Sequence, residues 1–110
     1  MIAFAVEGGI ANQMRSLRID PTGMAQTDIN GSSAGGELDA SRVAQIVAAL
    51  ESSGLFTRDR TYPAPPSGAD LQRYEITYED ATVVAHDTTV PPELSQAIRL
   101  LEEALREVQR

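Results

Sequence analysis

The chain has 110 residues, 42% of them hydrophobic and 23% charged, which fits one globular domain and leaves little room for two. Its net charge is −7, from 9 basic and 16 acidic residues, and every basic residue is an arginine; with no basic cluster to offset the charge, a nucleic-acid partner is not expected. There is no cysteine, so disulfides and thiolate metal sites are excluded, in agreement with a reducing compartment.

The N-terminus is apolar for only six residues before Glu7-Gly8-Gly9, lacks a basic leader, and is too short for a signal segment. No run approaches the ~20 apolar residues of a membrane helix. A cytoplasmic protein with no membrane partner is the expectation, and a monomer is the favoured state.

Residues 2–7 alternate, with Ile2, Phe4 and Val6 on one side and Ala3, Ala5 and Glu7 on the other, which predicts a strand with one core face. Residues 13–20 resume the alternation with Leu17 and Ile19 inward. A two-residue turn at Gly8-Gly9 would set Phe4 against Gln13 and Ile2 against Arg15, both poor core pairs. The connection is therefore wider, spanning Glu7 to Asn12. Two glycines followed by Ile10 make either a plain hairpin turn or a supple tip carrying one apolar anchor; the residues alone favour the plain turn.

Pro21 to Gly36 is rich in Gly, Ser, Thr and Asn and shows no apolar period. It reads as a flexible loop over residues 22–36, long against the ~12–15 residues above which loops become uncommon. Residues 39–53 are helical: Val43, Ile46, Val47 and Leu50 form one stripe, Asp39 is the expected N-cap through its carboxylate, and Gly54 with Leu55 suits a Schellman ending. Residues 58–70 form a proline-rich, stiff connection. Residues 71–79 alternate with Tyr74, Ile76 and Tyr78 on one face; Glu79-Asp80-Ala81 turns the chain, and 82–88 return as the second strand of a hairpin. Pro91 and Pro92 open a final helix whose stripe is Leu94, Ile98, Leu101, Leu105 and Val108, with Ala97 and Ala104 beside it and Glu102 placed to pair with Arg106. The order is ββαββα. Its economical solution is an α+β fold in which a four-stranded, mostly antiparallel sheet packs both helices on one face.

Few parts suit catalysis. His86 is the only histidine and reads as a surface or half-buried strand residue. Asp39, Glu51, Asp59, Asp70, Glu75, Glu79 and Asp80 are scattered carboxylates, and no phosphate-binding loop, calcium loop or nucleophile triad is present. Tyr62, Tyr74 and Tyr78 make either a recognition patch or, for the last two, core. A non-enzymatic protein without metal or cofactor is expected.

Four motifs in order resemble the emfourin family, small bacterial protein inhibitors of thermolysin-like (protealysin-like) zinc metallopeptidases. They are Gly8-Gly9-Ile10-Ala11, then Ser53-Gly54-Leu55-Phe56 closing a helix, then Gly68-Ala69-Asp70 leading to Tyr74-Glu75-Ile76, and last Val90-Pro91-Pro92-Glu93-Leu94. Ile10 stands where the family more often has Phe, and Glu7 where it usually has Ser. The resemblance implies a peptidase inhibitor whose partner-binding loop is Glu7, Gly8, Gly9, Ile10, Ala11 and Asn12. Ile10 would enter the hydrophobic pocket beside the zinc, main-chain carbonyls or Glu7 would approach the metal, and Asn12 would supply hydrogen bonds. The other reading is a regulatory or immunity-type interaction module that uses its acidic surface.

Overall fold

A computed structural model describes residues 2–8, 13–63, 72–87 and 89–109. Its strands are β1 (Ile2–Gly8), β2 (Gln13–Ile19), β3 (Met24–Ile29), β4 (Ser32–Glu37), β5 (Arg60–Thr61), β6 (Gln72–Tyr78) and β7 (Ala81–His86), and its helices are α1 (Ala40–Ser52) and α2 (Pro92–Gln109). The fold is α+β, with one seven-stranded sheet in the order β4-β3-β2-β1-β6-β7-β5.

Period-2 alternation decides the register. β1 lies at the centre, antiparallel to β2 on one side and β6 on the other. Phe4 faces Leu17 and Ile76, while Ile2 faces Ile19 and Tyr78. Sliding by one residue would turn these side chains to the opposite face, so the buried face holds the register. Ile2, Phe4, Val6, Leu17, Ile19, Ile76 and Val83 join Ile46 and Leu50 of α1 and Leu94, Leu101 and Leu105 of α2 in one buried cluster. Each large side chain so buried contributes about 1.5–3 kcal/mol. The other face of the sheet carries Ala3, Ala5 and Glu7, flanked by Met14, Ser16 and Arg18 and by Arg73, Glu75 and Thr77. No helix among the described residues is long and apolar enough to cross a membrane.

The sheet is larger than the four strands expected. The segment expected as a loop over 22–36 is instead the hairpin β3–β4, turned by Asn30 (φ 50°) and Gly31 (φ 92°). Two successive left-handed residues form the primed turn that matches the twist of the flanking strands. The hairpin escapes an apolar pattern because its inner face is built of small side chains. Ala34 lies opposite Thr27 and Gly36 opposite Ala25, and a Cβ on Gly36 would stand 3.8 Å from the Val108 Cγ1 of α2. The end of the helix occupies the space that a larger residue would need.

The proline-rich connection also begins with a strand. β5 pairs parallel with β7, Arg60 beside Val83, and the Tyr62 N–H donates to Val84 O at 2.7 Å. α1 carries the chain from the β4 edge to this far edge, which makes the sheet mixed rather than purely antiparallel.

Three local expectations are corrected. Asp39 is the N-cap residue of α1, but its side chain makes no capping hydrogen bond; its carbonyl accepts from the Val43 N–H at 3.0 Å. Glu102 pairs with Arg15 of β2 at 3.4 Å instead of with Arg106, because the helix crosses the sheet there and brings a cation from another element. The end of α1 departs in detail from a Schellman motif. Gly54 (φ 70°) donates to Glu51 O, but the Ser53 hydroxyl donates to Leu50 O at 2.6 Å and accepts the Leu55 N–H at 3.3 Å. A buried hydroxyl thus bridges the two groups that the motif would join directly.

Candidate partner-binding loop and its supports

Of the six expected site residues, Glu7 and Gly8 end the central strand; Gly9, Ile10, Ala11 and Asn12 lie outside the described residues. The supports of this segment are well defined. Gly8, at φ 94°, faces Gln13 on one side and Gln72 on the other. A positive φ at the last paired residue turns the chain out of the strand direction, and a side chain there would be strained. Gln13 opens β2, so the connection spans residues 9–12, wider than the tight turn that the core pairs disfavour.

Three sets of polar contacts pin the strand ends around this segment. Arg73 Nη1 lies 3.2 Å from Glu7 Oε1 and its Nη2 lies 3.6 Å from Glu75 Oε1, a ladder across the helix-free face. Asn30, at the tip of β3–β4, exchanges two hydrogen bonds with Met14: its N–H donates to Met14 O at 2.9 Å, and its Oδ1 accepts the Met14 N–H at 3.0 Å. On the other flank Asp87 accepts the Gln72 N–H at 3.0 Å and the Tyr74 hydroxyl at 2.7 Å. Burial, and then the Asp87 carboxylate, push the Tyr74 hydroxyl well above the ordinary tyrosine range.

Beside Glu7 and Met14, on the helix-free face, a hollow of about 630 Å³ is lined by these two with Ala5, Ser16, Asp28 and Asn30, among others. Its floor is low because Ala5 and Ser16 are short. Met14 is 60% exposed on its rim, and Met24, on the same face, is 48% exposed. A thioether adapts to varied apolar surfaces, so a methionine at the mouth of a hollow is suited to contact with another molecule.

His86 is half-buried, with Nδ1 3.0 Å from Tyr62 O. Ile76 is fully buried, while Tyr74 and Tyr78 are half-buried against the core, Tyr78 with its hydroxyl on Glu51 and its ring edge-on to Phe56. No set of three His, Asp or Glu among the described residues is grouped to hold a metal ion. The Asn30–Met14 clamp and the Asp87–Tyr74 pair lie outside the sequence expectation. The Asn-Gly dipeptide is the sequence signal for the first; the second has none, since it joins residues across two strands.

No family model matches the chain, and no curated protein matches it.

Proposed function

We propose that this protein inhibits a thermolysin-like zinc metallopeptidase by presenting residues 7–12 to its substrate cleft, in the manner of the emfourin family. The observation that carries the reading is the mounting of the segment. It leaves the central strand through a glycine at φ 94°; Asn30 holds Met14 of the returning strand, and Asp87 holds Gln72, which pairs with Gly8. A short segment on stiff supports loses little conformational entropy on binding, which is what a cleft-blocking loop requires.

In this reading Ile10 is the anchor, and its burial in an apolar pocket contributes about 1.5–3 kcal/mol. Main-chain carbonyls of Gly8 and Gly9 approach the metal, and Asn12 adds directional hydrogen bonds. Glu7 has a further role, because its carboxylate is engaged by Arg73: it stiffens the stem rather than serving as a free metal ligand. Met14 and the hollow beside it extend the contact around the anchor, in the pattern of a central hot spot ringed by surfaces that exclude water.

The test is titration of peptide hydrolysis by a thermolysin-like peptidase. The expected result is stoichiometric loss of activity, with Ile10→Asp weakening inhibition by about 10- to 150-fold, the burial energy above expressed as a ratio, at an unchanged thermal midpoint. Undiminished hydrolysis at micromolar excess overturns the proposal.

A further inference from the structure

The two edges of the sheet are not equally protected. At one edge β5 is two residues long, and Pro63 follows after one intervening residue. At the other, β4 is six residues long, Ser-Ser-Ala-Gly-Gly-Glu, with no proline and no large apolar side chain. Short strands, prolines and charged side chains are the usual guards of an edge, and β4 has only the terminal Glu37.

The register shows which main-chain groups this edge offers. In a two-residue hairpin the residues flanking the turn exchange hydrogen bonds, so Ser32, Ala34 and Gly36 point their N–H and C=O groups toward β3. Ser33, Gly35 and Glu37 point theirs outward. Alongside lies a groove of about 630 Å³, bounded by Gly35, Glu37, Asp39, Arg42, Glu107 and Val108 among others. Among the described residues that bound it, the one guanidinium is that of Arg42, already paired with Glu103 and Glu107. Among the same residues, Glu37, Asp39 and Glu107 outnumber Arg42, so the groove carries an excess of negative charge.

We propose that the β4 edge binds an extended segment of a partner protein by strand addition, with a basic side chain of that segment entering the acidic groove beside Glu37. Main-chain bonds to Ser33, Gly35 and Glu37 supply the pairing, and the groove selects the charge. A second copy of this chain is the weaker occupant: it would bring the same carboxylates, and a net charge of −7, against themselves. The inference is independent of the loop reading, since it uses another edge and other residues.

The probe is a synthetic peptide of about eight alternating valines and threonines, a usual strand length, with a central arginine; its counterpart carries glutamate at that position. Amide exchange and amide chemical shifts of the labelled protein are followed by nuclear magnetic resonance. The arginine peptide is expected to shift and protect the amides of Ser33, Gly35 and Glu37, and the glutamate peptide to bind at least about tenfold more weakly. Gly35→Pro removes one outward donor while leaving the bonds to β3. The site has room for the ring's Cβ, which would meet only Ala25 O, at 3.8 Å. This variant should lose the arginine peptide with its circular dichroism unchanged. Should it fail to fold, Glu37→Lys replaces it and is expected to reverse the charge preference. Protection of none of these amides, equal binding of both peptides, or full binding by a folded Gly35→Pro overturns the proposal. Protection of the same amides by self-association, seen as a dimer in sedimentation, overturns it in favour of a second copy.

Discussion

Asn30 and Met14 hold each other through two hydrogen bonds, one from the Asn30 main chain and one to its side chain, at 2.9 and 3.0 Å. The turn of one hairpin is thereby fastened to the stem of another. Replacing Asn30 with alanine should cost about 1–2 kcal/mol, because it removes the carboxamide acceptor and places a residue less suited to left-handed geometry at φ 50°. Thermal unfolding checks the cost. Amide exchange at Met14 should rise more than exchange at the far end of β2.

Gly31→Ala isolates the backbone contribution at the same turn. A Cβ there meets nothing within 4 Å, so any loss comes from φ 92° alone. The expected destabilisation is about 1–2 kcal/mol, read as a fall of several degrees in the thermal midpoint.

Ser53→Ala should be costly for a small change. Its buried hydroxyl serves both Leu50 O and the Leu55 N–H. Removing it leaves two main-chain groups short of a partner, for about 1–3 kcal/mol by denaturant titration. Ser52→Ala, an exposed neighbour, should change stability by less than about 0.5 kcal/mol.

Tyr74 and Tyr78 should titrate above ordinary tyrosine. Burial is the first cause for both; Asp87 adds to it at Tyr74 and Glu51 at Tyr78. Their folded values lie above the unfolded value of about 10, so the stability they confer is fully present below that pH and is lost as pH rises toward the folded values. Tyrosinate absorbance should show late-titrating groups that merge with the rest once the protein unfolds. Tyr74→Phe should remove one of them and make stability less sensitive to alkali.

Arg42 spans α1 and α2 through Glu103 and Glu107, with all three side chains partly exposed. Such a bridge is worth little after solvent screening. Arg42→Ala should lower stability by no more than about 1 kcal/mol, and the difference should shrink in high salt.

What could be read from the chain itself is whatever large apolar side chains record. Ile2, Phe4 and Val6, the inward Leu17 and Ile19, and most of the stripes of α1 and α2 are buried as that spacing demands, with Val43, Val47 and Val108 partly buried against the same core. That the β1–β2 connection is wider than two residues was legible, because Phe4 needs Leu17 rather than Gln13 opposite it, but Glu7 and Gly8, expected within it, are paired residues of β1. The proposed site was legible only as a segment, of which Glu7 and Gly8 fall among the described residues. Its clamps at Asn30 and Asp87 join residues remote in sequence, and no local period records them.

The hairpin β3–β4, the parallel β5 and the pairing of Arg15 with Glu102 were decided by tertiary structure. β5, at two residues, is too short to show a period; the hairpin and the ion pair each follow from what approaches them. Where a helix end approaches closely, the strand beneath it must be built from glycine, alanine and serine, and it then loses the alternation by which strands are recognised. Where two elements cross, the charge nearest in space displaces the partner four residues away. Local spacing determines which face of an element is apolar; only the assembled sheet determines what that face meets.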